Sequence, residues 1–463
     1  MLGELTAAVQ DRRVSARELV TMALERIDRL NPALNAVILV RAEEALAEAV
    51  ALDERIAAAE KVGPFAGLPL LVKDNEDAAG LPTTFASLLR ADAPPAEEDC
   101  DVVGRLRDAG AIVVGKTNLP EFAFEGFTSN RLFGTTRNPW APDWSPGGSS
   151  GGSGAALMSG MAPLVTGTDG GGSIRIPAAF CGFVGLKPTN GLIGQRPAPS
   201  WIDLSTKGPM TTSVADARRL LLDVLRGPIA GDPKAFPSWT PDPGARATRI
   251  LATPRLVAHD EPVAPAVLAL FERAVAGLEA ATQLPVERIE PPYPAELDDD
   301  WLTIAAVDEL TWIGREVVAA RRDELTDYLR EVLEIAERIG VDEYQAARRR
   351  RFAFCRQTDE LLGADAVLVC PTMCVEGFPA DGRFPDAEHA ATEGQHYNNQ
   401  PANLTGHPAI SVPAGVSANG VPFGLQITGP RFRDDIVLAL AEMWEAANPW
   451  PAVAPGYEPF AVA

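Results

Sequence analysis

Short apolar runs that alternate with helical patterns constrain the fold of this chain more than any other feature of its sequence. A strand that is buried on both faces reads as a continuous apolar run, because neither face presents side chains to water. Such runs recur along the chain between segments of helical periodicity: NAVILV, GLPLLVKD, AIVVGKT, APLVTGT, RILATP, ADAVLVCPT, AISVPAG and FGLQIT. The alternation predicts an α/β fold in which a single large, mixed β-sheet is flanked by helices on both faces.

The length of 463 residues permits one large domain or two or three small ones. The proline-rich stretch 228–244 has strand-like runs on both sides, so we expect a surface connection there and a single domain over residues 1–463. Residues 298–362 have helical periodicity and predict a cap-like helical region beside the sheet. Its apolar stripe consists of Leu325, Tyr328, Leu329, Val332 and Leu333.

The clearest single helix begins near the N-terminus. Ser15 and Glu18 have the spacing of a capping box, and apolar residues at helical intervals follow them. The pair Asn31 and Pro32 predicts the end of this helix, because proline removes a backbone donor.

Charge and cysteine usage exclude several classes of protein. The formal net charge of −22 argues against a nucleic-acid partner, because phosphate binding requires a basic face. The basic run Arg348–Arg351 is interpreted as the solvated face of a helix. The five cysteines lack the spacing of a disulfide framework or a metal site, so we expect buried free thiols and no metal. With no apolar signal core or membrane-spanning run, we expect a cytoplasmic protein that binds no membrane.

The stretch PGGSSGGSG at residues 146–154 resembles a flexible linker, yet three enzymatic motifs compete for it. A Walker phosphate loop would need a lysine that is absent, and a dinucleotide loop would need the spacing G-x-G-x-x-G. Residues 147–151 do match G-x-S-x-G, the nucleophile elbow of α/β-hydrolase esterases. The elbow follows a strand, whereas the preceding segment TTRNPWAPDWSP is rich in turns.

A second glycine cluster, Gly170, Gly171 and Gly172, leads from a strand-like run to Ser173. Consecutive backbone N–H groups in such a turn can converge on one point and form an oxyanion hole, to which Ser173 also contributes. Ser173 is then the candidate nucleophile. Asp169 and Arg175 flank the cluster and are interpreted as a structural ion pair.

A nucleophilic serine needs a base, and histidine is scarce in this chain. The four histidines, His259, His389, His396 and His407, lie in no motif typical of a catalytic triad. A lysine can act as the base if burial lowers its pKa, and Lys73 ends the apolar run GLPLLVKD.

Several long motifs together resemble the amidase signature family. They are GLPLLVKDN, GAIVVGKTNLPEFA, PGGSSGGSGAAL, GTDGGGSIRIPAAFCGFVGLKPT and QPANLTGHPAISVPAG, in the family's order. The resemblance implies a signature core over residues 60–225 and a Ser-cis-Ser-Lys triad of Lys73, Ser149 and Ser173. It also implies a cis peptide bond between Gly148 and Ser149, and catalysis without a metal or organic cofactor.

The resemblance leaves two functions open. A stand-alone amidohydrolase would act on neutral hydrophobic amides, with anilides and carbamates included, as a monomer or homodimer. Phe124, Phe127, Trp201 and Tyr397 are the candidate pocket residues that favour such substrates. The alternative is the glutaminase subunit of a tRNA-dependent amidotransferase. The family pattern of that subunit implies an arginine in the helical region and an acid before PAN, whereas this chain has His396 near the acid's place.

Overall fold

The computed structural model describes residues 1–236, 239–259, 262–383 and 398–462, and each predicted apolar run contains a strand. The strands, in chain order, are β1 Val37–Val40, β2 Pro69–Lys73, β3 Ile112–Thr117, β4 Ser129–Asn130, β5 Gly134–Thr135, β6 Leu164–Val165, β7 Thr168–Asp169, β8 Val184–Lys187, β9 Thr206–Lys207, β10 Met210–Thr211, β11 Arg249–Ala252, β12 Val286–Arg288, β13 Ala366–Pro371, β14 Ala409–Val416 and β15 Pro422–Thr428.

Hydrogen bonds order most of these strands in two mixed sheets, β1-β3-β2-β6 and β10-β8-β14-β15-β13-β11-β12. In the first sheet, β2 is parallel to β3 and β6, whereas β1 is antiparallel to β3. In the second, β11 is parallel to β12 and β13, and β14 is antiparallel to β8 and β15. The predicted α/β class with a mixed sheet is confirmed.

The short ladder between β7 and β9 joins the two sheets. Thr168 pairs with Lys207 and Asp169 pairs with Thr206 in antiparallel register. Gly167 and Gly208, which lie between this ladder and strands β6 and β10, are linked by a single long hydrogen bond of 3.4 Å. Because pairing lapses there, the predicted single sheet is two hydrogen-bonded sheets joined at this ladder. The loop after β7 therefore lies at the junction of the sheets.

Helices pack on the sheets and connect the strands. They are α1 Leu2–Gln10, α2 Ala16–Leu34, α3 Ala42–Ala57, α4 Asp101–Asp108, α5 Gly151–Met158, α6 Arg175–Cys181, α7 Val214–Leu220, α8 Pro265–Thr282, α9 Glu296–Ile313, α10 Arg315–Ala320, α11 Asp327–Arg338, α12 Val341–Leu362, α13 Gln400–Thr405 and α14 Asp434–Ala447. Among them, α8 and α14 contact β14 and β15 of the larger sheet, and α6 contacts β8, β14 and β15.

Helix α6 lies close to the larger sheet because two strand positions are glycine. A Cβ on Gly185 would lie 2.6 Å from the Cβ of Ala178, and one on Gly424 would lie 2.7 Å from that of Ala179. Both distances are shorter than van der Waals contact, so any other residue would push α6 away. The close approach fixes the position of α6, whose first residue, Arg175, lies two residues after Ser173.

The capping box of α2 is confirmed, since the Ser15 side chain accepts from the Glu18 N–H and the Glu18 carboxylate accepts from the Ser15 N–H. The predicted end at Asn31 and Pro32 is wrong, because the helix continues to Leu34. Proline costs little this close to the end of a helix. The Asn31 side chain instead accepts from the backbone N–H groups that follow, those of residues 36 and 37.

The segment 298–362 is helical, as predicted, and contains most of α9 together with α10, α11 and α12. The predicted stripe packs in an apolar cluster of its own, in which Leu325, Leu329 and Leu333 are fully buried. Arg350 of the basic run is not merely solvated, because its Nε donates to Asp300 over 2.8 Å and ties α12 to α9. The extent of the domain and of its cap-like region stays a prediction.

All five cysteines are free thiols, and all but Cys355 are buried, as the sequence predicts. Within the described ranges, no helix is both long and apolar enough to cross a bilayer.

Candidate active site

Lys73 is the last residue of β2, and its side chain is fully buried. Its Nζ lies 2.7 Å from the Ser149 Oγ and 2.9 Å from the Thr168 Oγ1. Burial disfavours the ammonium and lowers the pKa of Lys73 to about 7, although the carboxylates of Glu76 and Asp169 favour the charged form. A lysine in this state can take up a proton from a neighbouring hydroxyl near neutral pH.

Ser149 lies in a loop that holds its hydroxyl against Lys73. The peptide bond between Gly148 and Ser149 is cis, the geometry that the family resemblance implies. A Cβ on Gly148 would lie 2.5 Å from the carbonyl oxygen of Glu125, so only glycine fits there. The Thr128 hydroxyl donates to the Gly147 carbonyl over 2.7 Å. The stretch 146–154 is therefore a packed structural element and not a flexible linker.

The nucleophile-elbow interpretation requires a strand that leads into Gly147. Residues 136–147 contain no strand and only an isolated bridge at Trp144. The Ser149 hydroxyl is bonded to Lys73 instead of to a histidine. The segment therefore lacks the structural context of an esterase elbow.

The loop from Gly170 to Ser173 connects β7 to α6, and Ser173 itself is 8% exposed. Among the described residues, the backbone N–H groups of Gly170, Gly171 and Ser173 donate to no acceptor. The N–H of Gly172 differs, because it donates to the Asp169 Oδ1 over 2.8 Å. Of the four predicted oxyanion donors, three are thus available to a ligand and Gly172 is committed to the loop's own structure.

Asp169 and Arg175 are fully buried and form the predicted ion pair, with two Arg175 nitrogens 2.9 Å from the carboxylate. Burial alone would raise the pKa of Asp169, but the Arg175 guanidinium and the Asn403 amide hold it well below its usual range. Arg175 also donates to the Gln426 Oε1 and the Asn403 Oδ1. Asn403 and Gln426 were not predicted from the sequence.

Two cavities open onto Ser173. A cavity of about 250 Å³ also contains Ser149, Thr168 and Gly170 in its wall, and we name it the relay chamber. A second cavity, of about 180 Å³, has Phe124 and Trp301 in its wall and shares Trp201 with the first, and we name it the aromatic chamber. Ser149 and Ser173 line the relay chamber together, although no hydrogen bond of the described residues joins their hydroxyls. The predicted triad residues are therefore all brought to one place.

Three aromatic side chains cover the glycine loop on the side of the aromatic chamber. The ring centroids of Phe124 and Trp201 are 4.8 Å apart, and those of Trp201 and Trp301 are 5.6 Å apart. A Cβ on Gly170 would lie 2.4 Å from Trp201, and one on Gly171 would lie 2.4 Å from Trp301. Trp301 was not predicted, because the sequence around it does not indicate that α9 places this side chain against the glycine loop.

The remaining predicted pocket residues have other outcomes. Phe127 lines neither chamber and packs against Tyr328 and Phe378, with ring centroids 5.7 and 6.5 Å away. It is three residues from Phe124, yet it packs against a different apolar cluster, which includes Phe180 and Phe378. Tyr397 lies outside the described residues.

Histidine side chains take no part in the described site. His259 contacts Asp298 at 2.8 Å, and His407 lies 3.2 Å from Asp359. Neither lines a chamber at Ser173. His389 and His396 lie outside the described residues. Within those residues, no cluster of His, Cys, Asp and Glu has the arrangement of a metal site.

Comparison with known proteins gives a consistent result. Residues 18–438 match the family model described as Amidase. An acylamidase of Rhodococcus erythropolis is 37% identical over 96% of this chain and 95% of its own length. A glutamyl-tRNA(Gln) amidotransferase subunit of Thermosynechococcus vestitus is 34% identical over 97% and 98% of the two chains.

Solved structures agree with this assignment. The crystal structure of a bacterial aryl acylamidase that belongs to the amidase signature enzymes superimposes with a TM-score of 0.87, at 29% identity over 96% of each chain. The chain is therefore a hydrolase that belongs to the amidase signature family.

Proposed function

We propose that the protein is an amidohydrolase that cleaves the C–N bond of neutral hydrophobic amides, anilides and carbamates through an acyl-enzyme on Ser173. The observation that carries the proposal is the buried contact of 2.7 Å between Lys73 Nζ and Ser149 Oγ, in a chamber that Ser173 also lines. A base with a pKa of about 7 stands at one end of this arrangement. At the other end are the three backbone N–H groups of Gly170, Gly171 and Ser173, which make no hydrogen bond to the described residues.

The first half-reaction is a proton relay coupled to attack. Neutral Lys73 takes the proton of Ser149, Ser149 takes that of Ser173, and the Ser173 oxygen bonds to the substrate carbonyl carbon. The carbonyl oxygen becomes an oxyanion and accepts hydrogen bonds from the N–H groups of Gly170, Gly171 and Ser173. The relay requires the Ser149 and Ser173 hydroxyls to turn towards each other when substrate is bound.

Collapse of the tetrahedral intermediate breaks the C–N bond. Ser149 gives its proton to the departing nitrogen and regains one from the Lys73 ammonium, so the amine leaves neutral. Water then attacks the acyl-enzyme, with the same relay as base, and releases the carboxylic acid or, from a carbamate, the monoalkyl carbonic acid. For a carbamate, the acid product loses carbon dioxide.

The two chambers divide the substrate. Because Ser149 must reach the departing nitrogen, the leaving amine lies in the relay chamber, which Ser149 lines. The acyl group then lies in the aromatic chamber, against Phe124, Trp201 and Trp301. An aromatic wall binds an aryl or long alkyl group by apolar contact, at about 0.8 kcal/mol for each buried methylene, so we expect graded and broad acyl preferences.

Relatives that match over nearly the full chain support the proposal. The acylamidase and the aryl acylamidase are of this kind, and the name of the second favours aryl amides as substrates here. The alternative, a glutaminase subunit, is represented by a relative of 34% identity. The described lining of the acyl chamber is mostly apolar, and its one charged residue is Glu125, so no lysine or arginine there pairs with the carboxyl group of glutamine.

A substrate panel tests the proposal. Purified enzyme is given an N-acyl-4-nitroaniline, methyl N-(4-nitrophenyl)carbamate, a short aliphatic amide and glutamine, with Ser173→Ala as the control for background hydrolysis. We expect nitroaniline release from the first two to exceed ammonia release from the others by at least about tenfold in kcat/KM, the scale of one or two kcal/mol of apolar contact. Faster release of ammonia from glutamine would refute the proposal and favour the amidotransferase subunit.

A further inference from the structure

The wall of the relay chamber contains a charged pair that the proposed reaction does not use. Glu76 and Lys207 both line the chamber and are 2% and 7% exposed, with Lys207 Nζ 3.5 Å from Glu76 Oε1. Lys207 also donates to the Cys100 Sγ over 3.3 Å. A buried charged pair with incomplete hydrogen bonding is costly unless a further group completes it.

The missing hydrogen bonds of this pair are those that the Glu76 carboxylate would accept. Both carboxylate oxygens of Glu76 are buried and accept no hydrogen bond from the described residues, and the same holds for the Oδ1 of Asn75 beside it. The amide nitrogen of Asn75 is occupied, since it donates to the Thr168 hydroxyl. Three acceptor oxygens in one wall thus lack donors, whereas buried acceptors in proteins are normally bonded.

The backbone around Glu76 is held rigidly. Its N–H donates to the Lys73 carbonyl over 3.0 Å, and its own carbonyl accepts from the Lys116 Nζ over 2.7 Å. Lys116 is fixed in turn by its ion pair with Asp74 at 3.3 Å. Glu76 is therefore positioned before any ligand arrives, and a donor that bonds to it has no loop to order.

We propose that this wall selects a leaving amine with a second, donor-bearing nitrogen, so that the preferred substrates are N-acylated diamines. The inference rests on the proposed function, because only that mechanism places the leaving amine in the relay chamber. A primary ammonium at the far end of the amine would donate to Glu76 and Asn75 and supply what both lack. Bonds of this charge-assisted kind are the stronger ones in proteins.

A leaving group that ends in a carboxylate fits the wall less well. It could bond to Lys207, but it would face the acidic side chains of Glu76 and Asp77 in the same chamber. The other basic group there, Arg90, already donates to the Thr83 carbonyl and lies over the Phe85 ring. The buried polar atoms of this wall that lack a partner are the acceptors of Glu76 and Asn75, so a donor on the leaving amine satisfies groups that a carboxylate would leave unbonded.

Three 4-substituted acetanilides test the inference: the isosteric pair 4-(aminomethyl)acetanilide and 4-ethylacetanilide, and the larger anionic 4-(carboxymethyl)acetanilide. At pH 8, we expect kcat/KM for the aminomethyl compound to exceed that for the ethyl compound by about tenfold or more, the scale of one charge-assisted hydrogen bond. Equal rates for the aminomethyl and ethyl compounds overturn the inference but leave the proposed function intact. If none of the three is hydrolysed, the proposed function itself is contradicted.

Two variants identify the residues. Glu76→Gln should lower the ratio of the aminomethyl to the ethyl rate by about tenfold, since the charge-assisted bond is lost. Lys207→Met should raise the same ratio, because the substrate ammonium then replaces the missing partner of Glu76. The ratio cancels any effect on Lys73, which both substrates share. Glu98→Gln, an exposed carboxylate outside the chamber, is the matched control and should leave the ratio unchanged.

The two variants are expected to change the ratio of the aminomethyl to the ethyl rate in opposite directions, so a general loss of activity cannot imitate the result. If Lys207→Met fails to fold, as judged by its circular dichroism melt, Glu76→Gln alone decides. A ratio that Glu76→Gln leaves unchanged, or a carboxymethyl compound that is cleaved fastest, overturns the inference.

Discussion

The pH dependence of hydrolysis follows directly from the environment of Lys73. Its pKa is lowered to about 7 by burial. For one group that must be neutral, kcat/KM falls about tenfold for each pH unit below its pKa, so about one tenth of the plateau remains at pH 6. Below about pH 7, Lys73 is an ammonium and cannot accept the proton of Ser149. We therefore expect an acid limb near pH 7 and a plateau above about pH 8.

Two variants separate Lys73 from other titrating groups. Lys73→Ala should lose about 10²–10⁴ in kcat, the scale of general base catalysis, and its residual rate should no longer show this limb. Glu76→Gln should move the limb to lower pH, because the Glu76 carboxylate favours the ammonium form of Lys73. The profile is measured as kcat/KM for an acetanilide from pH 5 to 9, with His259→Gln as the control. A limb that vanishes in the histidine variant, or persists in Lys73→Ala, would refute the assignment.

Further predictions concern the relay, the ion pair and the aromatic wall. Ser149→Ala should cost about 10²–10⁴ in kcat, and the double variant with Lys73→Ala should lose little more, because the two residues act as one unit; steady-state kinetics of all three variants test this. Asp169→Asn should lower the free energy of unfolding by about 3–5 kcal/mol, since Arg175 then lacks its buried counter-charge; urea denaturation at pH 8 measures the loss, and a change under about 1 kcal/mol would contradict it. Trp301→Ala should lower kcat/KM for an aryl acyl substrate more than for an acetyl one, and an equal loss for both would argue against an aromatic acyl chamber.

The sequence predicts well those features that local patterns determine. Each continuous apolar run contains a strand. A strand that is buried on both faces is apolar whichever strands pair with it, so its sequence alone reveals it. The burial of Lys73 could be foreseen for the same reason, since the residue completes such a run. The family resemblance, carried by long motifs around Ser149 and Ser173, supplied the other two residues of the predicted triad.

Features that depend on distant packing could not be foreseen. Arg175 bonds Asn403 and Gln426, which are 228 and 251 residues away along the chain. Trp301 reaches Gly171 only because α9 folds back over the glycine loop. Phe127 was assigned to the pocket because it lies near a segment that lines the pocket in similar enzymes, but its ring packs against another cluster.

The same limit applies to backbone donors within the glycine loop. The sequence alone gives no reason to distinguish the four consecutive backbone N–H groups of residues 170–173. In the structure, the Gly172 N–H is taken by Asp169, a contact that requires the loop's three-dimensional course. Glu76 and Lys207 likewise lie 131 positions apart by number, and strand β9 brings them together beside the relay.

The central claim is that Ser173 is the nucleophile, and covalent labelling tests it most directly. The enzyme is treated with a fluorophosphonate, digested and analysed by mass spectrometry, with Ser173→Ala treated in parallel. The account predicts one adduct on Ser173, absent from the variant, with labelling of wild type that slows as the pH falls through about 7. An adduct on Ser149 or Ser150, retained in Ser173→Ala, would contradict it.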